Sequence, residues 1–460
     1  MNAHALPTKP STEAAGKSGA LTLATLCIAM LLAQLDTSVV NLATKPIGAD
    51  FHVPVNALQW VIDGYNLTYA VLLLSGGLLA DLYGRRRVFM AGAAVFSVAS
   101  VLCAVAPSIG ILIAGRVVTG IGSALMLPAS LAILRVAWPD AKQLARALGI
   151  FTGCNGLAFI IGPTLGGFLI ADVGWRSVFF VVVPFGLLAL TLSPFVVPES
   201  ADPHGRHFDA SAQILGILAL GGLAMAAIES HTGVAALVAL VVAVTALIAL
   251  IKVEQRRGPA ALVPLDMFKI PAFRGSTIAT AGMTFGMYGV LFLQLLTWQS
   301  SGRLDAVGAG LALVPMALVF VIVSPFSGAL QSRLGTRFMT GGGVAIIGCG
   351  LVTVGASAGS SSLLGAEIGL SLTGLGMGLA TGPLTGVAVG AVAAARSGTA
   401  AALINVARMV GATLGVAALG AIFALLGGGT EGLRLAMLIG GTVQILAAGL
   451  CWRSVAREPR

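Results

Sequence analysis

Long apolar runs separated by short polar segments make up almost the whole chain of 460 residues. About 20 consecutive apolar residues suffice for one helical crossing of a bilayer. The sequence therefore predicts an all-α integral membrane protein with fourteen transmembrane helices, near residues 20–44, 57–81, 88–106, 109–134, 143–171, 176–197, 211–229, 233–252, 275–299, 306–330, 337–358, 363–390, 397–426 and 431–453.

Polar stretches divide these spans into groups of six, two and six. The predicted organisation is a disordered cytoplasmic tail (1–19), an N-terminal six-helix bundle (20–197), a cytoplasmic link (198–210), two additional helices (211–252), a second cytoplasmic link (253–274), a C-terminal six-helix bundle (275–453) and a short cytoplasmic tail (454–460). Proline and charged residues concentrate in the two links, as is typical of connecting segments.

The distribution of charge fixes the predicted orientation. Hydrophobic residues make up 57% of the chain and charged residues only 9%, against about 25% charged residues in soluble domains. The formal net charge of +9 does not indicate nucleic-acid binding, because the basic residues are scattered through short loops. With both termini in the cytoplasm, 20 of the 26 Lys and Arg residues lie inside, 4 outside and 2 within spans. Since basic residues are retained on the cytoplasmic side, a multi-pass protein of the cytoplasmic membrane is predicted.

The cysteines, the histidines and the one resemblance to a phosphate-binding loop do not indicate a cofactor. The five cysteines fall singly within apolar runs and the histidines lie in the tail or in loops, so neither a disulfide framework nor a metal site is expected. Gly16-Lys17-Ser18 resembles the end of a phosphate-binding loop, but Ser11 occupies the place of its first glycine. ATP-driven transport is therefore not expected. Enzymatic activity is not expected either, because no nucleophile and base are paired.

A turn after the second span recurs after the second span of the last six. The first copy, 76–87, reads GGLLADLYGRRR and the second, 327–337, reads SGALQSRLGTR, with Ser332 in place of Asp81. Glycine, leucine, glycine and arginine recur at the same spacing. A parallel repeat of this kind places a transport route between two bundles that rock against each other.

Four motifs in order resemble those of the major facilitator superfamily, and specifically its fourteen-span drug:proton antiporters. They are the first-span signature at 35–41, the cytoplasmic loop motif at 77–86, the fourth-span motif at 116–122 and the fifth-span antiporter motif at 162–167. Leu82 stands where the loop motif usually has arginine, for which Arg87 partly substitutes, and Thr119 stands where the fourth-span motif commonly has glutamine. The resemblance extends over residues 20–453.

This resemblance implies a major facilitator fold and a proton-coupled antiporter that exports amphipathic drugs or antibiotics by alternating access. Its partners would be the small-molecule substrate, protons and the lipid bilayer, with no nucleic acid and no cofactor besides the proton gradient. A monomer is expected. The alternatives are an exporter of a single endogenous metabolite and an uptake symporter, although a symporter would not need the fifth-span motif.

Three ionisable residues are predicted to couple transport to protons. Asp36, Asp63 and Arg116 lie within spans, at about 9–12 Å below the outer surface for a rise of 1.5 Å per residue. All three are therefore expected at one level, where an unpaired charge is costly. We predict that Asp36 carries the proton and that Arg116 favours its ionised form. A permanent pair that only orients the two helices is the alternative.

Two further polar groups are open to more than one interpretation. Asp63 lies near Tyr65, Asn66 and Tyr69, a pattern that favours an interfacial aromatic belt over contact with substrate or protons. Arg408 has no acidic residue close to it in sequence. For this residue an interhelical or cytoplasmic-side contact is favoured over substrate binding.

Two motifs are predicted to control the conformational change. The gating motif comprises Gly77, Asp81, Gly84, Arg85 and Arg86. Asp81 is expected to cap the next helix or to pair with a neighbouring arginine, which would hold the cytoplasmic gate closed. The antiporter motif comprises Gly162, Pro163, Gly166 and Gly167. Its small residues allow close helix approach and its proline kinks the helix, so it is expected to seal one bundle interface.

Candidate substrate contacts lie mainly on the first and ninth spans. Polarizable side chains with a few amides suit a promiscuous lipophilic site, although packing within the bundle is the favoured interpretation for each residue. Glu367 is more simply interpreted as a carboxylate at headgroup level. The candidates are Gln34, Thr37, Asn41, Met283, Met287, Tyr288, Phe292, Gln294 and Glu367.

Overall fold

The computed structural model describes residues 12–138, 140–201, 210–229, 233–257, 263–393 and 396–455. Within these ranges fourteen helical segments are long and apolar enough to cross a membrane, which confirms the predicted number. They are built from α1 (Thr12–Phe51), α2 (Val55–Tyr83), α3 (Arg85–Ala104), α4 (Ile109–Ala137), α5 (Ala141–Asp172), α6 (Ser177–Phe180), α7 (Val183–Val196), α8 (Ala210–Ile228), α9 (Val234–Arg257), α10 (Pro271–Ser300), α11 (Ala306–Leu311), α12 (Val314–Val323), α13 (Ser327–Leu334), α14 (Gly343–Ser357), α15 (Leu364–Gly390), α16 (Ser397–Leu425) and α17 (Gly429–Ser454).

Besides the span in which the π-helical turn Phe338–Gly342 leads into α14, two of the spans consist of several short helices. Helices α6 and α7 form one of them, and α11, α12 and α13 form the other. Pro184 lies in the first turn of α7, Pro315 in the first turn of α12, and Pro325 in the short 3-10 turn before α13. Because proline cannot donate a backbone hydrogen bond, it interrupts the preceding helix and fits the first turn of the next one.

The prediction of a disordered tail over residues 1–19 is wrong for residues 12–19, which form the start of α1. This segment contains alanine and glutamate, which favour the α-helix. The membrane span that follows is already helical and acts as the nucleus for helix formation. Residues 12–19 therefore only have to extend that helix. Residues 1–11 lie outside the described residues. At its other end α1 continues past Pro46 to Phe51, beyond the predicted limit of the span.

Helices α1 to α7 form an N-terminal half and helices α10 to α17 a C-terminal half. The second span of each half packs against the fifth span of the other: α2 lies against α16, and α5 lies against α11 and α12. We call the contact between α2 and α16 the seam. This reciprocal packing is the arrangement expected of two repeated bundles with a route between them.

The repeated turns occupy equivalent places in the two halves. Gly84 ends α2 with φ of 105°, and Gly335 ends α13 with φ of 84°. Arg86 donates to the carbonyl oxygen of Val197 at the end of α7, and Arg337 donates to the carbonyl oxygen of Val455 at the end of α17. Each arginine therefore ties the turn to the last helix of its own half.

Helices α8 and α9 lie outside the two halves. Ala224 and Ile228 of α8 form an apolar cluster with Trp60 of α2 and Ala417 of α16, so that α8 covers the seam. Helix α9 packs against α8, where Gly222 closely approaches the backbone of α9. Most side chains of α9 are exposed, and most of the exposed ones are apolar, as expected for a helix that faces lipid.

Candidate functional site

Asp36 and Arg116 form a buried ion pair between α1 and α4. One guanidinium nitrogen of Arg116 lies 2.7 and 2.9 Å from the two carboxylate oxygens of Asp36. The Nε of Arg116 donates to the carbonyl oxygen of Val61 at 3.0 Å. Only 2% of the Arg116 side chain and none of the Asp36 side chain are exposed. The predicted meeting of these two side chains is confirmed.

Aromatic rings enclose this ion pair. The guanidinium carbon of Arg116 lies 4.7 Å from the ring centroid of Tyr65 and 5.8 Å from that of Phe179. The hydroxyl of Tyr65 forms a hydrogen bond of 2.9 Å with that of Ser123. Ring faces attract a cation, and these rings also restrict the access of water to the pair. A change in the positions of α1 and α4 would therefore break strong, poorly screened contacts.

Asp63 does not join this pair, although it lies on a helix that contacts both α1 and α4. It is fully buried, and neither carboxylate oxygen has a hydrogen-bond partner among the described residues. Gln59, four residues earlier on the same face of α2, donates to the carbonyl oxygens of Val416 and Ala417 at 2.9 and 3.1 Å. Because residues four apart share a helix face, this face of α2 is turned towards α16.

The interpretation of Asp63, Tyr65, Asn66 and Tyr69 as an interfacial belt is wrong, because all four side chains are buried. Helices α4, α8 and α16 pack against α2 and cover Tyr65 and Tyr69, so these two rings do not form a surface belt. Neither the amide nitrogen nor the amide oxygen of Asn66 has a hydrogen-bond partner within the described part of the chain.

Helix α16 adds two more unpaired groups to this region. The hydroxyl of Thr413 and the Nε of Arg408 are buried, and neither has a hydrogen-bond partner among the residues described. Folded proteins contain few such groups, and each requires an explanation. Their concentration on α2 and α16 indicates a place where water, a ligand or a second conformation provides the missing partners. Sequence reasoning missed this cluster because its two helices are separated by more than 300 residues.

The antiporter motif connects the two halves through α5. A Cβ atom on Gly162 would lie 2.5 Å from the hydroxyl of Ser38, and one on Gly166 would lie 2.7 Å from a methyl group of Val39. A Cβ atom on Gly167 would lie 2.9 Å from the carbonyl oxygen of Ala306 in the other half. In the same contact between α5 and α11, Gly310 of α11 packs closely against the carbonyl group of Pro163. The glycines therefore permit contacts that any side chain would prevent.

The gating motif forms the turn between α2 and α3. Asp81 accepts hydrogen bonds from Arg85 at 2.9 and 3.1 Å, which confirms that it pairs with a neighbouring arginine. Glu199, which follows α7, accepts a hydrogen bond from the backbone nitrogen of Arg86 at 3.0 Å. Its carboxylate also lies 3.7 Å from the side chains of Arg86 and Arg87. Sequence reasoning missed Glu199, although it is the first acidic residue after the sixth span.

Gly84→Ala is expected to destabilise the protein more than the equivalent substitution in the repeated turn. Alanine at position 84 would have to keep an unfavourable positive φ. Its Cβ atom would also lie 2.8 Å from a carboxylate oxygen of Glu199. At Gly335 only the positive φ applies, since no described atom lies within 4 Å. We expect a loss of about 1–3 kcal/mol for Gly84→Ala and of about 1 kcal/mol for Gly335→Ala.

Thermal unfolding of the purified variants measures this difference. Gly328→Ala is the matched control, because Gly328 lies within α13 and has open space around its Cα among the described atoms. An equal loss of stability in the Gly84 and Gly335 variants would contradict the proposed contact with Glu199.

Asp266 and Arg396 form a hydrogen-bonded ion pair at the end of the C-terminal half that carries the repeated turn. The pair joins the segment before α10 to the segment before α16. The hydrogen bond from Arg396 lowers the pKa of Asp266. Asp266 is therefore ionised over the physiological range of pH.

A small cavity lies between the two halves. Its lining is mainly apolar and comprises Ser38, Asn41, Pro163, Leu291, Leu295, Leu313, Met316, Ala317, Phe320 and Met377. Asn41 is the one predicted substrate contact among these residues. Its amide nitrogen donates to the carbonyl oxygen of Thr37 at 2.8 Å, and its amide oxygen has no partner among the described residues.

The other candidate substrate contacts do not line this cavity. Met283, Met287, Tyr288, Phe292 and Gln294 are buried along α10. Gln34, Thr37 and Glu367 are partly buried, and Glu367 lies in the first turn of α15. Helix α10 lies at the centre of the C-terminal half, so most of its sides are covered and sequence periodicity does not identify a lining face.

Four hydrogen bonds between described residues join the two halves at the end opposite the repeated turns. Two of them join Gln59 to α16. The side chain of Lys45 donates to the carbonyl oxygen of Gln299, and the side chain of Gln299 donates to that of Leu42 at 3.0 Å. These contacts hold the two halves together at that end.

Two repeated helical bundles that enclose buried polar groups at their junction define a multi-pass membrane transporter. The family model described as Major Facilitator Superfamily matches residues 26–416, and the chain belongs to this family. The expected resemblance to drug-resistance transporters of the superfamily is also confirmed by the following relatives.

The chain is 36% identical over 368 residues to the multidrug resistance protein Stp of Mycobacterium tuberculosis (strain CDC 1551 / Oshkosh), covering 79% of this chain and 68% of Stp. It is 33% identical over 333 residues to the methylenomycin A resistance protein of Bacillus subtilis (strain 168), covering 72% of this chain and 70% of that protein. The crystal structure of a bacterial homolog of the human lysosomal transporter Spinster shares the fold, with a TM-score of 0.67 and 17% identity over 95% of this chain and 97% of that one.

Proposed function

We propose that this protein is a proton-coupled antiporter that exports amphipathic drugs or antibiotics from the cytoplasm by alternating access. The observation that carries the proposal is the fully buried pair of Asp36 and Arg116 between two helices of one half. The relatives named as multidrug and antibiotic resistance proteins support export as the direction of transport. The protein would act as a monomer in the cytoplasmic membrane, with both termini in the cytoplasm and without a cofactor.

Proton coupling follows from the cost of a buried charge without a partner. While Asp36 contacts Arg116, each charge stabilises the other. If α1 and α4 move apart during transport, an ionised Asp36 would lose its partner in a medium of low dielectric constant. Uptake of a proton removes that cost. Arginine stays charged throughout, so the carboxyl group is the one that exchanges a proton.

Asp63 is proposed as a second proton-binding group, at the seam. Its two oxygens have no hydrogen-bond partner among the described residues. A carboxylate in such a position is costly, whereas a protonated carboxyl group is much less so. Opening of the seam would admit water to Asp63 and allow it to release its proton. The two acids would then respond to different helix movements, one between α1 and α4 and the other between α2 and α16.

The two motifs are proposed to control these movements. The Asp81–Arg85 pair and the contacts of Glu199 fix the cytoplasmic turn of the N-terminal half. The glycines of α5 hold α1 on one side and α11 on the other. Rocking of one half against the other would preserve the contacts within the N-terminal half, including those of α5 with α1, and would rearrange the contact of α5 with α11.

Accumulation of fluorescent dyes and antibiotics in cells, with and without an uncoupler, tests the proposal. Cells that produce the protein are expected to accumulate less of several chemically different compounds, and the uncoupler is expected to remove the difference. The Asp36→Asn variant, produced to the same level, serves as the control. Export that is insensitive to the uncoupler would contradict proton coupling, and accumulation above the control would indicate uptake.

A single exported compound is the second candidate. It is favoured by the relatives whose names refer to one compound, such as the methylenomycin A resistance protein and the tetracenomycin C resistance and export protein of Streptomyces glaucescens. The range of compounds in the panel that the protein exports distinguishes the two candidate functions. Transport of one chemical class with no effect on the others would favour the second candidate.

A further inference from the structure

We propose that Arg408, together with Tyr69 and Tyr288, forms a binding site for the carboxylate or phenolate group of an exported substrate. The inference rests on the proposed export function and specifies the chemistry of the compounds transported. It assigns a ligand-binding role to an arginine for which the sequence favours a contact between helices.

The position of Arg408 distinguishes it from the arginines at the membrane surface. It lies eleven residues after the start of α16, which places it roughly 17 Å from the cytoplasmic end of that helix. Its Nε is buried without a hydrogen-bond partner, and no acidic side chain of the described residues lies within ion-pair distance of it. Arg116, the other arginine within a span, has Asp36 as its partner. Arg408 therefore lies within the span without an anionic partner among the residues that the structure describes.

Two phenol groups accompany this cation. Met409, the next residue of α16, belongs to the same apolar cluster as Tyr69 of α2, and Tyr288 lies one turn after Thr284 on α10, which packs against α16. Both tyrosines are buried. Thr284 of α10 also donates a hydrogen bond of 2.7 Å to the carbonyl oxygen of Arg408, which fixes the backbone of α16 at this level. Three helices therefore bring one guanidinium and two hydroxyl groups to the same region.

These groups match an aromatic substrate that bears an anionic oxygen. A guanidinium binds a carboxylate through two parallel hydrogen bonds, and these are among the strongest that side chains form. A phenol hydroxyl donates to the same kind of oxygen, while its ring provides an apolar surface for the rest of the substrate. Asn66, whose amide is unpaired, lies one turn before Tyr69 on α2 and adds a further donor to this level of the seam.

The site also lies where a transporter has to bind its substrate. Tyr69 belongs to the N-terminal half, whereas Tyr288 and Arg408 belong to the C-terminal half. Movement of one half against the other would assemble or separate the three groups. Export of an anion and entry of a proton both run down a membrane potential that is negative inside, so an anionic substrate would receive more driving force than a neutral one.

Binding of a matched pair of fluorescent probes tests the proposal. Coumarin-3-carboxylic acid and coumarin-3-carboxamide differ in the charge of one group. The purified wild-type protein is expected to bind the acid at least about tenfold more tightly than the amide. Arg408→Gln is expected to abolish this preference and Arg408→Lys to retain part of it. Tyr69→Phe and Tyr288→Phe are expected to weaken binding of the acid by about three- to tenfold and to leave binding of the amide unchanged.

Several results would overturn the inference. One is a wild-type protein without preference for the acid, and another is an Arg408→Gln variant that keeps the preference. A thermal melt reports whether Arg408→Gln is folded. If it is not folded, the two tyrosine variants decide, and an unchanged preference in both contradicts the site.

Transport in proteoliposomes separates this inference from the proposed function. A wild-type protein that binds the acid through Arg408 but moves no compound in response to a proton gradient would contradict the export function and leave the anion site intact. Proton-driven export of the amide and of cationic dyes, with no transport of the acid, would contradict the anion site and leave the export function intact.

Discussion

Replacement of Asp36 with asparagine is expected to abolish export against a concentration gradient. Asparagine has nearly the same shape and still accepts a hydrogen bond from Arg116, but it cannot exchange a proton. We expect proton-driven export to fall by about a hundredfold or more, because an essential proton carrier has no substitute at this position. Exchange of substrate across the membrane without a proton gradient is expected to continue. Proteoliposomes with an imposed pH gradient measure the first activity, and counterflow measures the second.

Asp50→Asn provides the matched control for this experiment. Asp50 also forms an ion pair with an arginine, Arg176, but both side chains are 43% exposed. Exposed pairs contribute little to stability, so this variant is expected to transport normally. Undiminished uphill export by the Asp36→Asn protein would show that the buried pair only orients α1 and α4.

Replacement of Gly166 with leucine is expected to abolish export while the protein still inserts into the membrane. Even a Cβ atom at this position would lie 2.7 Å from a methyl group of Val39, and leucine adds three more carbon atoms. Overpacking of this kind costs about 1–3 kcal/mol, which separates α5 from α1 without unfolding a chain of fourteen spans. The amount of protein in the membrane fraction and the rate of dye export measure the two effects.

Gly153→Leu is the control for the effect of the close approach of α5 to α1. Gly153 lies on the same helix but is exposed, and no described atom lies within 4 Å of the position of its Cβ. Leucine at that position is expected to leave export close to the wild-type rate. Equal loss of export in both variants would mean that α5 tolerates no large residue anywhere, and normal export by the Gly166→Leu protein would contradict its sealing role.

Much of the fold could be predicted from the sequence because a bilayer imposes a simple length rule. Each crossing needs a run of apolar residues, and these runs are separated by short loops, so the number of helices follows from counting. The pairing of Asp36 with Arg116 was also predictable, because depth along a helix follows from residue number. The limits of α1 were less predictable. The segment before the membrane has no apolar run, but it continues the helix already formed by the span.

The surroundings of Asp63 could not be predicted in the same way. Residue number gives its depth but not the helix that it faces, since that depends on how α2 packs. The contact of Gln59 with Val416 joins residues that are 357 positions apart. Glu199 was missed, and the neighbours of Arg408 could not be named, for the same reason. Their surroundings come from distant segments, and no local pattern in a single sequence records that proximity.

Helix α8 gives the two additional spans a physical purpose. Gly216 and Gly221 bring it close to Val71 and Leu67 of α2, and its last turns reach Ala417 of α16. The two halves alone would place the junction of α2 and α16 directly against acyl chains, where water and polar partners are absent. With α8 in place, hydrocarbon from the bilayer is kept away from Asp63 and Asn66 even when the junction loosens. Intrusion of acyl chains at this junction is therefore the defect expected of a chain that lacks this helix.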